Sequence, residues 1–294
     1  MSASLPLIGA IEAGGTKFVL ATGTGPGDLR EVERVPTTTP AETLRRCVDY
    51  FAAAQARHGR LAALGIATFG PASVDPAAAD WGFITTTPKP GWQQTDVSGA
   101  IGRALGVPVA FDTDVNGAAL GEWLWGAGQG CGSVLYLTVG TGIGGGVVIN
   151  GRPLHGLLHP EMGHIRIPHD RTADPFSGAC PWHGDCLEGL ASGTAMTQRW
   201  GNSGDDLPPD HPAWDLESQY LAAACANFAC TLSPHAILLG GGVMDHPGLI
   251  DRVREKTLAL LNGYLPEPRI SLPGLGSRAG LCGALALGLE MVAR

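Results

Sequence analysis

Between residues 40 and 57 apolar side chains return at Leu44, Val48 and Phe51, the stripe of a helix lying on a core. Similar patterns predict helices over Thr95–Leu105, from Asp114 to about Trp125, and over Leu187–Trp200, Trp214–Leu232, Leu249–Leu261 and Ala279–Val292. Shorter apolar runs have the length of strands: Leu7–Ile11, Phe18–Ala21, Leu64–Thr68, Pro108–Phe111, Ser133–Val139, Gly145–Asn150 and Ala236–Leu239. A loop-rich insertion bearing Pro, His and Cys covers roughly His155–Cys186, and a polar loop, GNSGDDLPPDHP, separates two of the later helices.

The order of these elements repeats. Each half opens with strand, Gly/Thr turn and strand, then alternates helix and strand, which predicts a mixed α/β sheet with helices packed on it. The second opening places a boundary near residues 110–130 and two similar lobes around a cleft. We divide them as residues 1–118 and 119–294. No repeat of 20–50 residues and no low-complexity tract interrupts this pattern.

The two opening turns read EAGGTKF (12–18) and TVGTGIGGG (138–146). Gly140, Gly142 and Gly145 have the spacing of a dinucleotide fingerprint, which requires a helix straight after the turn. Here VVIN follows, a strand-like run, so that reading fails. EAGGTK lacks the GxxxxGK[ST] spacing of a P-loop. What remains is a pair of hairpin turns whose backbone N–H groups converge on an anion, or two ordinary tight turns. Thr16 and Thr141 would add hydroxyl donors and Lys17 a positive charge. A third cluster, Gly240–Gly242, precedes a helix and suits close approach of a flat group such as adenine.

Asp112 and Asp114 stand where a strand runs into a helix. A carboxylate there can cap the helix, or can accept the proton of a hydroxyl in phosphoryl transfer. The residues alone leave both roles, and the choice between the two aspartates, open. In CPWHGDC, Cys180, His183 and Cys186 lie sixteen or more residues beyond His164 of HPEMGHI. Two thiolates and two imidazoles match the closed tetrahedral set of a structural zinc, though not the spacing of a zinc finger. Metal binding would fix Glu161 and Glu188 beside it, and carboxylates accept paired hydrogen bonds from vicinal sugar hydroxyls.

Composition narrows the class. A length of 294 residues allows about two domains, and 44% apolar content supplies a packed core. The net charge of −8 disfavours nonspecific nucleic-acid or membrane-surface binding. No run approaches a membrane span, and the first fifteen residues lack the positive start of a secretory leader. A soluble, cytoplasmic protein is expected. The seven cysteines form no disulfide framework, and apart from Cys180 and Cys186 most are expected to be buried, reduced thiols.

The motifs IEAGGTKF, GIATFGP, TPKPGW, FDTDVNGAALGE, GTGIGGG, HPEMGHI, CPWHGDCLEGLASG and LLGGGV, in this order, resemble those of the ROK family of sugar kinases, within it the bacterial fructokinases. The resemblance covers nearly the whole chain. It implies a two-lobed actin-like, ribonuclease-H-like ATPase fold with a zinc-pinned loop insertion, usually a homodimer. Carried over by position, it implies Gly14, Gly15, Thr16 and Lys17 as the first phosphate loop and Gly140, Thr141 and Gly142 as the second. Gly240, Gly241 and Gly242 become the adenosine-side turn, and Asp114 the catalytic base. Thr113, Asp114, Glu161, His164 and Glu188 match the sugar-contacting region, and His164, Cys180, His183 and Cys186 the zinc site.

Two departures stand out. Many members have Asp where this chain has Glu12, a residue linked to the Mg²⁺ shell through water, so Glu12 is the magnesium-side candidate. Glucokinase-like members read Asn-Asp at Thr113-Asp114 and carry a cysteine-richer zinc segment, which pulls towards the fructokinase branch. The expected activity is MgATP-dependent phosphorylation of D-fructose at the 6-hydroxyl. The alternatives are kinases of glucose, mannose or N-acetylmannosamine. More distant are a non-catalytic sugar sensor and a ROK-type repressor, whose helix-turn-helix finds no room before a first strand at about Leu7.

Overall fold

A computed structural model describes residues 5–293. Residues 1–4, on which part of the leader reading rests, lie outside the described residues. Among those described, no helix is long and apolar enough to cross a membrane.

The first half builds β1 (Ile8–Ala13), β2 (Lys17–Gly23), β3 (Leu29–Pro36), α1 (Pro40–His58) and β4 (Ala63–Thr68). The short strands β5 (Phe83–Ile84) and β6 (Thr95–Asp96) follow, then α2 (Val97–Leu105), β7 (Val109–Thr113) and α3 (Asp114–Trp125). The second half builds β8 (Ser133–Val139), β9 (Ile143–Ile149), β10 (Arg152–Pro153), α4 (Leu187–Ala191), α5 (Gly193–Trp200) and α6 (Ala213–Leu232). It ends with β11 (Ala236–Gly240), α7 (Leu249–Leu261), β12 (Arg269–Ser271) and α8 (Ala279–Ala293).

Two five-stranded sheets result, ordered β3-β2-β1-β4-β7 and β10-β9-β8-β11-β12. In each, the first three strands pair antiparallel and the last two add parallel. The expected repeat of order is therefore a repeat of topology. Successive strand residues point to opposite faces, and both faces of these sheets are covered. Ile11, Phe18, Leu20 and Ile66 pack against α1 and α2. Leu135, Leu137, Val147 and Leu239 pack against α6 and α7. Between the sheets, Ala118, Ala119 and Leu120 of α3 and Ala284 and Leu285 of α8 meet Ile8, Ala10, Val134, Tyr136 and Leu238.

That middle layer is held by close backbone approach. A Cβ on Gly283 would collide with the carbonyl of Gly117, and one on Gly146 with the carbonyl of Val115. Thus α3 touches α8 on one side and β9 on the other with no side chain between. The expected boundary between residues 118 and 119 falls inside α3, and α8, at the end of the chain, packs back on β1 and β4 of the first sheet. Glu122, buried in the same helix, accepts from the N–H groups of Ala127, Gly274 and Leu275 at 2.7, 2.9 and 2.7 Å.

Several elements differ from expectation. Strand β3 carries LREVERVP, mostly half-exposed or exposed, so its charges hide it from a hydrophobic pattern while protecting a sheet edge. The helix expected over Leu187–Trp200 is two, broken at Ser192, whose hydroxyl accepts from Ala195 N at 3.1 Å and caps α5. Thr95 belongs to β6, and Asp96 caps α2 through Gly99 N at 2.7 Å. Cys47, Cys225 and Cys282 are buried free thiols as expected, but Cys230 is exposed and Cys131 partly so.

Gly283→Ala places a methyl where a carbonyl already lies, and overpacking of this kind costs ~1–3 kcal/mol or more. The expected result is a clear fall in the urea midpoint; an unchanged midpoint would contradict the glycine-mediated crossing.

Candidate active site

The strand β7 delivers two carboxylates to the start of α3, and the structure separates their roles. Asp112 is buried and fully engaged: Oδ1 accepts from Thr113 N at 2.7 Å and Asn116 Nδ2 at 2.8 Å, and Oδ2 meets His155 Nε2 at 2.9 Å. The cap falls to neither aspartate. The Thr113 hydroxyl accepts from Asn116 N at 3.2 Å and caps the helix. Asp114 accepts from local backbone, Val115 N at 2.9 Å and its own N–H, with no side-chain donor among the described residues, and its carboxylate faces a cavity. Enclosure by protein atoms pushes its pKa up to about 7, opposed by the Val115 N–H and reinforced by the charges of Glu12 and Glu161. A carboxylate that is poorly hydrated, lightly hydrogen-bonded and poised near neutral pH is suited to accept a proton.

The cavity, about 820 Å³, gathers Asp114, Thr113, Thr141, Gly142, Glu161, His164 and Glu188. Thr113 reaches it only marginally, being 2% exposed. Glu188 Oε2 accepts from Ile143 N at 2.9 Å, tying the acid to the second glycine turn. Burial raises the pKa of Glu161, and the nearby charge of Glu188 adds to the shift. The wall also includes Gly70, Pro71, Thr85, Thr86 and His159, which residue-level reasoning missed. Gly70 and Pro71 close the string GIATFGP, Thr85 and Thr86 stand just before TPKPGW, and His159 opens HPEMGHI, strings whose chemistry is not visible without their fold.

A second cavity, about 850 Å³, is lined by Gly140, Thr141, Gly193, Thr194, Gly242 and His246 among others. The two meet at Thr141 and Thr194, which line both. Of the third glycine cluster only Gly242 faces this space. Gly240 packs against Tyr136 and Pro273, and Gly241, at φ 92°, turns the chain against Val139. The first turn lines neither cavity. Gly14 N donates to Lys17 O at 2.9 Å to close it, and Thr37 braces it through Gly14 O and Thr16 O, leaving Thr16 and Lys17 exposed. Glu12 lies beside α8, where a Cβ on Gly280 would come within 2.6 Å of its Cδ. Burial raises its pKa, and Lys17 and Arg34 pull it back.

The Cys/His set converges. Ligand atoms of His164, Cys180, His183 and Cys186 all lie within 4.8 Å of one another. His164 Nδ1 is 3.7 Å from Cys180 Sγ and 3.6 Å from Cys186 Sγ, and His183 Nδ1 is 3.7 Å from Cys180 Sγ. A tetrahedron with Zn–S of ~2.3 Å and Zn–N of ~2.0–2.1 Å has S···N edges of about 3.6 Å. The residues therefore fit zinc with every position filled by protein, a set suited to structure rather than catalysis.

The sequence matches the ROK family over residues 8–291. It is 48% identical over 293 residues to the fructokinase of Zymomonas mobilis subsp. mobilis, covering 96% of each chain. The crystal structure of ROK hexokinase from Thermus thermophilus superposes with a TM-score of 0.82 at 29% identity, covering 98% of this chain and 99% of that one. A ROK family glucokinase from Streptomyces griseus, in complex with glucose and AMPPNP, gives a TM-score of 0.75 at 26% identity, over 97% and 99% of the chains.

Two outcomes follow from the site. The folded protein holds the Asp114 proton more tightly than the unfolded chain does. Its contribution to stability is therefore complete below the ordinary value of 3.8 and is lost as pH rises through about 7. Asp114→Asn is expected to raise the melting temperature, more at pH 8 than at pH 5; a gain independent of pH would remove the buried-carboxylate account. Stripping metal with a chelator, verified by elemental analysis, is expected to lower the melting temperature by several degrees, and zinc to restore it. Unchanged melting would exclude a structural metal.

Proposed function

The chain belongs to the ROK family, and we propose that it is a fructokinase, transferring the γ-phosphoryl group of ATP to the 6-hydroxyl of D-fructose. The observation that carries the chemistry is Asp114: a carboxylate free of strong partners, raised to about 7, in a cavity that joins a second one at a glycine turn. The observation that favours fructose over other hexoses is the 48% identity to a fructokinase, against 26% to a glucokinase.

In this reading Asp114 takes the proton of the sugar hydroxyl as its oxygen attacks the γ-phosphorus in line, and ADP leaves. Thr113 acts through the helix cap, holding the backbone that aims Asp114. Glu161, Glu188 and His164 bind the sugar hydroxyls, with His164 also a zinc ligand. Gly140, Thr141 and Gly142 hold the phosphates from the second lobe and Gly242 lies on the nucleoside side. Gly14, Gly15, Thr16 and Lys17 meet the phosphates from the first lobe once the cleft closes, which also excludes water as a competing acceptor. Mg²⁺ supplies charge neutralisation at the transferring phosphoryl group, with Glu12 as the residue on its side of the site. Zinc is the structural metal. A homodimer working in the cytoplasm, where its nucleotide donor is made, completes the proposal.

Asp114→Ala is expected to lower kcat by ~10²–10⁴ while sugar binding persists; near-normal turnover would remove Asp114 from the chemistry. In wild type, kcat/KM for the sugar should fall as pH drops below about 7, because the free enzyme then carries a protonated base. ADP release measured across fructose, mannose, glucose and N-acetylmannosamine tests the substrate. The largest kcat/KM is expected with fructose, and a different preferred sugar would overturn that assignment while leaving the kinase reading intact.

A further inference from the structure

His159 is a buried imidazole in the wall of the sugar cavity, two residues before Glu161. Its Nε2 accepts a hydrogen bond from Ala72 N at 3.1 Å, across a separation of 87 residues. A ring nitrogen can accept only if it carries no proton, so the neutral ring's proton is assigned to Nδ1. That nitrogen stands 3.6 Å from Glu161 Oε1, too long for a hydrogen bond, and the ring also bonds the backbone at Pro160, which directly precedes Glu161.

Ala72 belongs to the other lobe. It follows β4 and bridges to Ile84, while Pro71 O accepts from both Thr85 N, at 2.8 Å, and the Thr85 hydroxyl, at 3.0 Å. One imidazole thus joins the segment bearing Glu161 to the one that Thr85 braces, both in the wall of one cavity. No other side chain offers Ala72 N an acceptor among the described residues.

We propose that His159 is a positioning residue for sugar binding, setting the placement of Glu161 against the Pro71–Thr85 wall through its Nε2 acceptor. This deepens the kinase reading and rests on it. Among the described residues His159 has no hydrogen bond to Asp114 and does not line the second cavity, so its effect should fall on the sugar and spare the nucleotide. Removing the acceptor also strands a buried N–H, a loss large enough to distort the wall rather than merely loosen it.

The test compares His159→Leu, His159→Asn and His159→Gln. Gln carries its carbonyl oxygen near the place of Nε2 and can still accept from Ala72 N, whereas Asn is polar but too short and Leu cannot accept. With the hexose that wild type uses best, Leu and Asn are expected to raise sugar KM by about tenfold, the scale of one lost buried hydrogen bond. KM for MgATP should stay within about twofold, and Gln should recover most of the sugar affinity. If Leu fails to fold, Asn against Gln carries the comparison, and calorimetric sugar binding without nucleotide gives the same readout. Equal behaviour of Asn and Gln, or parallel rises in both KM values, would overturn the positioning role. Failure of wild type to phosphorylate any hexose would instead overturn the functional reading.

Discussion

The structure depends on α3 being gripped from both sides by bare backbone. Gly117 lies against Gly283 of α8, and Val115 lies against Gly146 of β9, at distances that admit no Cβ. Side chains at these crossings would push the sheets apart, and the two cavities would no longer meet at Thr141 and Thr194. The helix has no spare freedom elsewhere: Val115 to Glu122 are all buried, and Glu122 bonds three backbone N–H groups of other segments. Asp114, its first residue, is therefore aimed by the packing of the whole middle layer. A reacting carboxylate that must hold a geometry to within fractions of an ångström gains from such a mount.

The same constraint explains the electrostatics. Enclosure by protein atoms leaves Asp114 only local backbone N–H groups among the described residues to stabilise its charge, and Glu12 and Glu161 stand near enough to raise its pKa further. Glu12 and Glu161 are themselves raised by burial. Carboxylates crowded around one space hold their protons, which favours a base poised near neutrality. They also make a site that welcomes positive charge, whether from Lys17, which already pulls Glu12 back, or from a divalent ion. Asp112 shows the contrast two residues away. Three donors surround it, and it serves as an anchor for Thr113, Asn116 and His155.

Much of this was legible in the sequence where a local signal existed. The repeated strand–turn–strand opening became two sheets of identical topology because apolar runs covered on both faces are long and unmistakable. The Cys/His cluster was legible because Cys and His gather for few other reasons, and the structure brings His164, Cys180, His183 and Cys186 together. Strand β3 was not, since an exposed edge strand is written in charged residues. Gly240 and Gly241 looked like ligand-facing glycines but serve packing and turning, a distinction that spacing does not encode. His159 escaped notice because its partner is Ala72 N, a backbone group 87 residues away that has no side-chain signature at all.

The segment from β10 to α4 shows what supplements a core. Met162 and Ile167 anchor it in the second-half core, but Leu157, Leu158 and Trp182 are exposed at 107, 42 and 76%, so apolar burial orders only part of it. Discrete polar ties order the rest. His155 holds Asp112, His159 holds Ala72, and His164, Cys180, His183 and Cys186 gather within 4.8 Å of one another. Apolar packing tolerates sliding, whereas hydrogen bonds and metal ligation specify distance and direction. A segment that brings Glu161 and Glu188 to the wall of one cavity gains that directionality from its polar ties. Two of the ties, through His155 and His159, reach β7 and the segment after β4 in the opposite lobe. They make the loop a strut between the two halves, so the geometry of the Asp114 cavity and the placement of the halves rest on the same bonds.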